Sequence, residues 1–142
     1  MPSFTIQAPN LQVLGPVVQV MLTVGKEVEE ALLRNSQNVP SPIPINALID
    51  TGATSTVISM DIVTRLNLSP VGVTLINTPS STNVRCYQYL VLLLLPNNVR
   101  ISAVAIAAPL QGQNVNCLIG RDVLQLGILI YTGYMNTFTF SI

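Results

Sequence analysis

Ala47-Leu48-Ile49-Asp50-Thr51-Gly52-Ala53-Thr54-Ser55-Thr56 is an apolar strand that delivers an acid into a turn of small residues. Glycine lets the chain turn tightly there, and the Thr51 hydroxyl can lock a neighbouring backbone. A carboxylate set against apolar walls is costly unless it is hydrogen-bonded or shares a proton. Asp50 therefore invites a functional reading. The alternative is a turn aspartate whose side chain caps a nearby amide.

Outward from this turn, short β-rich runs bounded by turn residues recur along the chain, and helical periodicity is scarce. Strands are predicted at 4–6, 17–24, 45–49, 71–75, 84–95, 101–107, 117–119, 128–131 and 138–141. Breakers fall at Gly15-Pro16, 40–44, Pro79-Ser80-Ser81, Pro96-Asn97-Asn98 and 112–116. Many short strands with such punctuation predict an all-β domain, closed or sandwiched. Two short helices are expected. One is capped by Ser59, carries Ile62, Val63, Leu66 and Leu68 and ends before Pro70; the other runs over 122–126 and is closed by Gly127. Residues 26–35 read as a helical insertion and 35–44, with three prolines, as an exposed loop, so 26–44 is an insertion or loop within a single domain spanning 1–142. Glu27, Glu29 and Glu30 form a solvated face rather than a carboxylate site.

Composition narrows the chemistry further. The 142 residues are 49% apolar and 8% charged, with six Lys+Arg against six Asp+Glu and no histidine. That length suits one domain. Without histidine there is no Ser-His-Asp or Cys-His nucleophile and no His-ligated zinc. Acid/base work must draw on Glu27, Glu29, Glu30, Asp50, Asp61 and Asp122. Scattered basic residues argue against a nucleic-acid partner. Mean hydropathy is +0.56, yet the apolar runs at 90–95 and 101–110 fall short of the roughly 20 residues a membrane-spanning helix needs. The first basic residue is Lys26, unlike a secretory leader. The expectation is a cytoplasmic chain with no membrane partner. Cys86 and Cys117 read as buried thiols, with pairing as the alternative in an oxidising compartment.

Asp50-Thr51-Gly52-Ala53, preceded by Leu48-Ile49 and followed by Leu118-Ile119-Gly120-Arg121-Asp122, resembles the retropepsin-like aspartic proteases of retroviruses and their bacterial relatives. The resemblance covers about 17–142. It implies that Asp50 is catalytic, that Thr51, Gly52 and Ala53 support the turn, and that Gly120, Arg121 and Asp122 form a structural element leading into a short helix. No metal or organic cofactor is implied. Aspartic proteolysis needs two carboxylates sharing a proton, and this chain carries one Asp-Thr-Gly. The resemblance therefore implies a two-fold homodimer with one Asp50 from each subunit, binding an extended polypeptide. Thr51 would cross-link the two turns at the axis and Gly52 would approach substrate backbone.

The same resemblance implies a flap hairpin around 74–85, with Asn77, Thr78, Pro79, Ser80 and Ser81 at its tip; an ordinary surface hairpin is the alternative. Candidate pocket lining comprises Val57, Ile58, Leu75, Ile76 and Val104. Where viral members carry an acid after the catalytic turn, this chain has Thr54, which leaves the partner of Arg121 open. Asp122 reads as an acid at a helix N-terminus and Asp61 as a surface acid. The alternating termini, 4–6 and 137–142, would interleave across the dimer as in the family, or else pair within one chain. The function implied is an aspartic endopeptidase. Its rivals are a catalytically silent dimerisation or peptide-binding module of the same fold, and an unrelated barrel for an apolar ligand.

Overall fold

The computed structural model describes residues 1–78, 80–110 and 114–142. Pro79 and part of the 112–116 breaker lie outside the described residues. Among the described residues there are ten strands: β1 Ser3–Gln7, β2 Val17–Val24, β3 Ile43–Ile49, β4 Val57–Ile58, β5 Gly72–Thr78, β6 Ser81–Leu95, β7 Val99–Ala107, β8 Cys117–Ile119, β9 Ile128–Thr132 and β10 Thr137–Ser141. Between them lie four short helices, α1 Leu11–Leu14, α2 Lys26–Arg34, α3 Met60–Arg65 and α4 Arg121–Leu124, and a 3-10 turn at Gly133–Met135.

Two-residue periodicity builds the core. Alternate residues of β2 (Val18, Val20, Leu22, Val24) and β3 (Ile43, Ile45, Ala47, Ile49) are buried, and so are Val91, Leu93 and Leu95 of β6 and Val99 and Ile101 of β7. The register places these residues opposite one another: Val20 against Ile45, Leu22 against both Ile43 and Leu93, Leu93 against Ile101. Such directly opposed apolar pairs are what fix the register of a sheet with one buried face.

The seven-stranded sheet has the order β2-β3-β8-β4-β7-β6-β5, and a further β2–β6 pairing closes six of its strands into a ring, with β5 outside it. The 15-residue β6 makes this possible. Its first half pairs with β5, and Val91–Leu94 pair with β2. The fold is thus the expected all-β closed sheet with few helices. The β6–β7 hairpin turns through Pro96, Asn97 and Asn98, the two asparagines both at φ 60°, the left-handed region that asparagine tolerates better than most residues.

A second sheet, β1-β10-β9, brings both ends of the chain together. Phe4 pairs with Phe140 and Ile6 with Phe138; all but Ile6 are buried, and the Phe4 and Phe140 rings tilt against each other at 6.1 Å. Of the two arrangements open to the termini, this chain has the second. They pair within one chain, because β9 turns back through Asn136, at φ 53°, to place β10 between β9 and β1.

Other boundaries shift for local reasons. β3 begins at Ile43 rather than 45, because Pro44 is accommodated opposite Met21 with its side chain exposed. The 26–35 segment is the helix α2, with no fully buried residue and an exposed Lys26–Glu30 pair at 3.9 Å. Glu27, Glu29 and Glu30 stay in solvent. Ser59 does not cap α3 with its side chain; its hydroxyl donates to Asp61 at 2.6 Å instead. β4 and α1 were not foreseen. No helix among the described residues is long and apolar enough to cross a membrane.

Candidate active site

Strand β3 runs up to Asp50, and its parallel pairing with β8 (Ala47 with Cys117, Leu48 with Leu118, Ile49 with Ile119) brings Gly120 and Arg121 beside the turn that follows. The Asp50 amide donates to the Ile119 carbonyl at 2.9 Å and the Ala53 amide to the Asp50 carbonyl at 3.1 Å. The turn closes on its own acid, since the Gly52 amide donates to Asp50 Oδ1 at 2.9 Å. That amide bond fixes the orientation of the carboxylate. Gly52 does not use a left-handed backbone here. Its need is proximity: a Cβ would sit 3.1 Å from Asp50 Oδ1.

Asp50 is half-buried, and Thr51 and Gly52 are exposed at the mouth of the turn. Arg121 clamps the turn from below, its Nη1 donating to the Thr51 carbonyl at 2.7 Å and its Nη2 to Thr54 Oγ1 at 3.1 Å. The partner of Arg121, open in the sequence, is thus a pair of neutral acceptors, one of them Thr54 itself. Backbone bonds from the Arg121 amide to the Ala53 carbonyl (2.8 Å) and from the Asp122 amide to the Thr54 carbonyl (3.2 Å) tie α4 to the same turn.

Beneath this lies a buried network that sequence reasoning missed. Thr56, fully buried, donates to Asp122 Oδ1 at 2.9 Å and accepts from the Gly120 amide at 3.2 Å. The Val123 amide donates to the same carboxylate oxygen at 3.0 Å. Asp122 therefore does act as an acid at a helix start, but its second partner is the threonine six positions past Asp50. Gly120 is required by contact, because a Cβ would fall 2.5 Å from the Ser55 carbonyl carbon. Burial pushes the neighbouring Cys117 thiol up from its ordinary 9.0 to about 12, and the Asp122 charge adds to the rise. Cys117 and Cys86 are both free and buried.

The turn opens into a cleft of about 510 Å³, bounded by Gly52, Ala53, Thr54 and Ser55, by Val57 and Ile106, and by Thr74, Leu75, Ile76 and Asn77 of β5. Among the described residues no charged side chain lines it. Of the candidate pocket residues, Val57, Leu75 and Ile76 are in this wall. Ile58 is fully buried in the core, and Val104 is 43% exposed and does not line the cleft. Ile58 points to the opposite face from Val57 by pleating, whereas Val104 shares the face of Ile106 but lies two residues along β7, outside the stretch that pairs with β4.

The β5–β6 hairpin stands over the cleft, with Thr78 paired to Ser81 at its end and Asn77 Oδ1 accepting from the Asn83 amide at 3.0 Å. Asn77, Thr78, Ser80 and Ser81 lie at this tip; Pro79 is outside the described residues. Asp61 faces solvent, 3.9 Å from Arg65. Among the described residues no cluster of His, Cys, Asp or Glu is arranged to hold a metal ion.

A solved structure of a retropepsin-like aspartic protease from Rickettsia conorii superposes with a TM-score of 0.57 at 10% sequence identity, covering 97% of this chain and 89% of that one. EIAV protease, solved with the inhibitor HBY-793, is similar at 19% identity with a TM-score of 0.44, covering 78% and 85%. No curated protein matches. The first likeness shows that the fold is of the retropepsin-like type. Residues 39–123, which run from before the Asp50 turn to the Arg121–Asp122 helix, match the aspartyl protease family model, and over more than half of its 142 residues the chain is thereby a member of that family.

Proposed function

We propose that this chain is an aspartic endopeptidase that works as a two-fold homodimer, with Asp50 of each copy forming one catalytic dyad. The observation that carries the reading is the single Asp-Thr-Gly turn, fixed by Gly52 and Arg121 and open to an uncharged cleft under a hairpin. One chain holds half of the carboxylate pair that the chemistry needs.

In this reading the ionised Asp50 takes a proton from a water as its oxygen attacks the scissile carbonyl carbon. The protonated Asp50 of the other copy polarises that carbonyl and becomes the negative partner of the tetrahedral hydroxyls. Collapse breaks the C–N bond: the leaving nitrogen takes the proton held by the dyad, one hydroxyl of the diol returns its proton to the dyad as the carboxyl product forms, and one shared proton remains. Two close carboxylates cannot both ionise readily, so the pH profile belongs to the pair. The exposed Thr51 hydroxyl has no hydrogen-bond partner among the described residues of its own chain, which suits a cross-link between the two turns. The β5–β6 hairpin is the flap, with Asn77, Thr78, Ser80 and Ser81 over an extended peptide whose apolar side chains meet Val57, Leu75, Ile76 and Ile106. Residues 1–142 act as one domain, with α2 and the loop after it peripheral.

The test is hydrolysis of a peptide with an apolar junction by the wild-type chain and by Asp50→Asn. The reading expects cleavage with a bell-shaped pH profile, lost in the variant while the dimer persists. Cleavage that survives Asp50→Asn contradicts it.

A further inference from the structure

Several cavities lie away from the Asp50 turn. Those beneath α2, beside α1 and where β2 meets the end of β6 carry no charged side chain among the described residues, so nothing on them selects an occupant. The cavity between α3 and the first half of β6 is different. It holds about 320 Å³ and is walled by Met60, Val63 and Thr64 of α3 and by Arg85, Tyr87 and Tyr89 of β6. That volume is at the lower end of ligand pockets, about 300–1,000 Å³.

Pleating sets its place in the fold. Cys86 packs with Ile106, Ile76 and Val57, and those last three wall the catalytic cleft. Arg85, Tyr87 and Tyr89 alternate with Cys86 along β6, so their side chains take the other face of that strand, the face that α3 covers. Cavity and cleft therefore lie on opposite sides of one sheet.

Two polar groups meet in this cavity without partners. Arg85 belongs to neither of the ion pairs of the described residues, Lys26–Glu30 and Asp61–Arg65, and no acid among them lines the cavity. Tyr89 is only 8% exposed, and its hydroxyl makes no hydrogen bond within the described residues. No buried side-chain oxygen or nitrogen among these residues lacks a partner. The Tyr89 hydroxyl, which has none, is thus in contact with open space, and the space that Tyr89 lines is this cavity. A ligand would supply the missing acceptor.

A lone guanidinium, a free hydroxyl and apolar walls together define what fits. The planar fork of arginine matches a carboxylate, and the tyrosine hydroxyl adds a further donor. Met60, Val63 and the tyrosine rings offer apolar surface to an aliphatic body. A second anionic group would find no second cation there. We infer that this cavity binds a small aliphatic monocarboxylate, with its carboxylate on Arg85 and Tyr89 and its chain against Met60 and Val63. A free medium-chain alkanoate and the C-terminal residue of a short apolar peptide share that chemistry. The site is complete in one copy of the chain, so it stands independently of the dimeric reading.

Titration of the isotope-labelled chain with octanoate and, separately, with N-acetylleucine tests this, with acetate as the head group alone. At least one of the two should bind saturably, moving the amides of residues 60–64 and 85–89 and leaving those of 52–55 in place. Tighter binding of octanoate identifies the free alkanoate as the ligand, and tighter binding of N-acetylleucine the peptide terminus. Arg85→Gln, at an exposed site, should weaken binding by about tenfold or more, and Tyr89→Phe by about fivefold, with circular dichroism unchanged. If Tyr89→Phe disturbs the fold, Arg85→Gln decides. The inference is overturned if neither probe binds, if acetate binds as tightly as both, if the shifts are confined to residues 52–55, or if Arg85→Gln binds as tightly as the wild type.

Discussion

Replacing Thr56 by valine keeps the shape of a fully buried side chain and deletes two hydrogen bonds at once. The donation to Asp122 Oδ1 at 2.9 Å is a bond to a charged acceptor, worth about 1.5–3 kcal/mol. The Gly120 amide that donates to Thr56 at 3.2 Å would be left buried without a partner, at a further cost of about 1–3 kcal/mol. The Val123 amide still serves Asp122, which softens the loss. A net destabilisation of about 3 kcal/mol follows, or roughly 10 °C in melting temperature for a chain of this size. Thr56→Ser keeps the hydroxyl and loses one buried methyl group, about 1 kcal/mol. Thermal unfolding and urea titration of the three proteins measure the difference. If the valine variant is no less stable than the serine variant, the Thr56–Asp122–Gly120 network is not what holds α4 against the catalytic turn.

Three further outcomes follow from the same geometry. Arg121→Lys cannot reach both the Thr51 carbonyl and Thr54 Oγ1, because an ammonium lacks the planar fork; peptide cleavage should fall about tenfold with little change in melting temperature, and unchanged kinetics contradict the clamp. Gly120→Ala forces a Cβ to 2.5 Å from the Ser55 carbonyl carbon, so stability should drop by about 1–3 kcal/mol or more, readable in urea; a neutral result contradicts the close approach. The folded Cys117 thiol is raised above its unfolded value, so its contribution is fully present below about pH 9 and is lost as pH climbs towards 12. In reducing buffer the wild type should lose about 1.4 kcal/mol per pH unit across that window relative to Cys117→Ala, and parallel pH curves for the two proteins contradict the buried-thiol account.

Much of this architecture was legible because its signals are local. β2 and β8 have the bounds read from their apolar runs and from the breakers around them. The turn at Asp50 and the Leu118–Asp122 element were visible as motifs, and the parallel pairing of β3 with β8 explains why two segments so distant in sequence belong together. What escaped reading depends on distant partners. β4 is two residues long and exists through β7 on one side and β8 on the other, so nothing local in Val57-Ile58 announces it. Thr56 looks like one more small polar residue after the turn, and its burial follows from Gly120 crossing it. The alternating ends read correctly as strands, but alternation cannot choose a partner. That choice is made by the return at Asn136, whose Oδ1 also accepts from the Leu11 amide at 2.9 Å. α1 had a faint signal in Asn10, whose side chain caps the Val13 amide at 3.2 Å.

The central claim is that one chain provides half of a catalytic centre and a second copy provides the other half. Its most direct test is a crystal structure of the chain with a statine-type transition-state mimic, read at the two Asp50 carboxylates. The account predicts one inhibitor per two chains, with the carboxylates about 3 Å apart around its hydroxyl. One inhibitor bound wholly within a single chain, or two Asp50 carboxylates too far apart to hold a common hydroxyl, contradicts it.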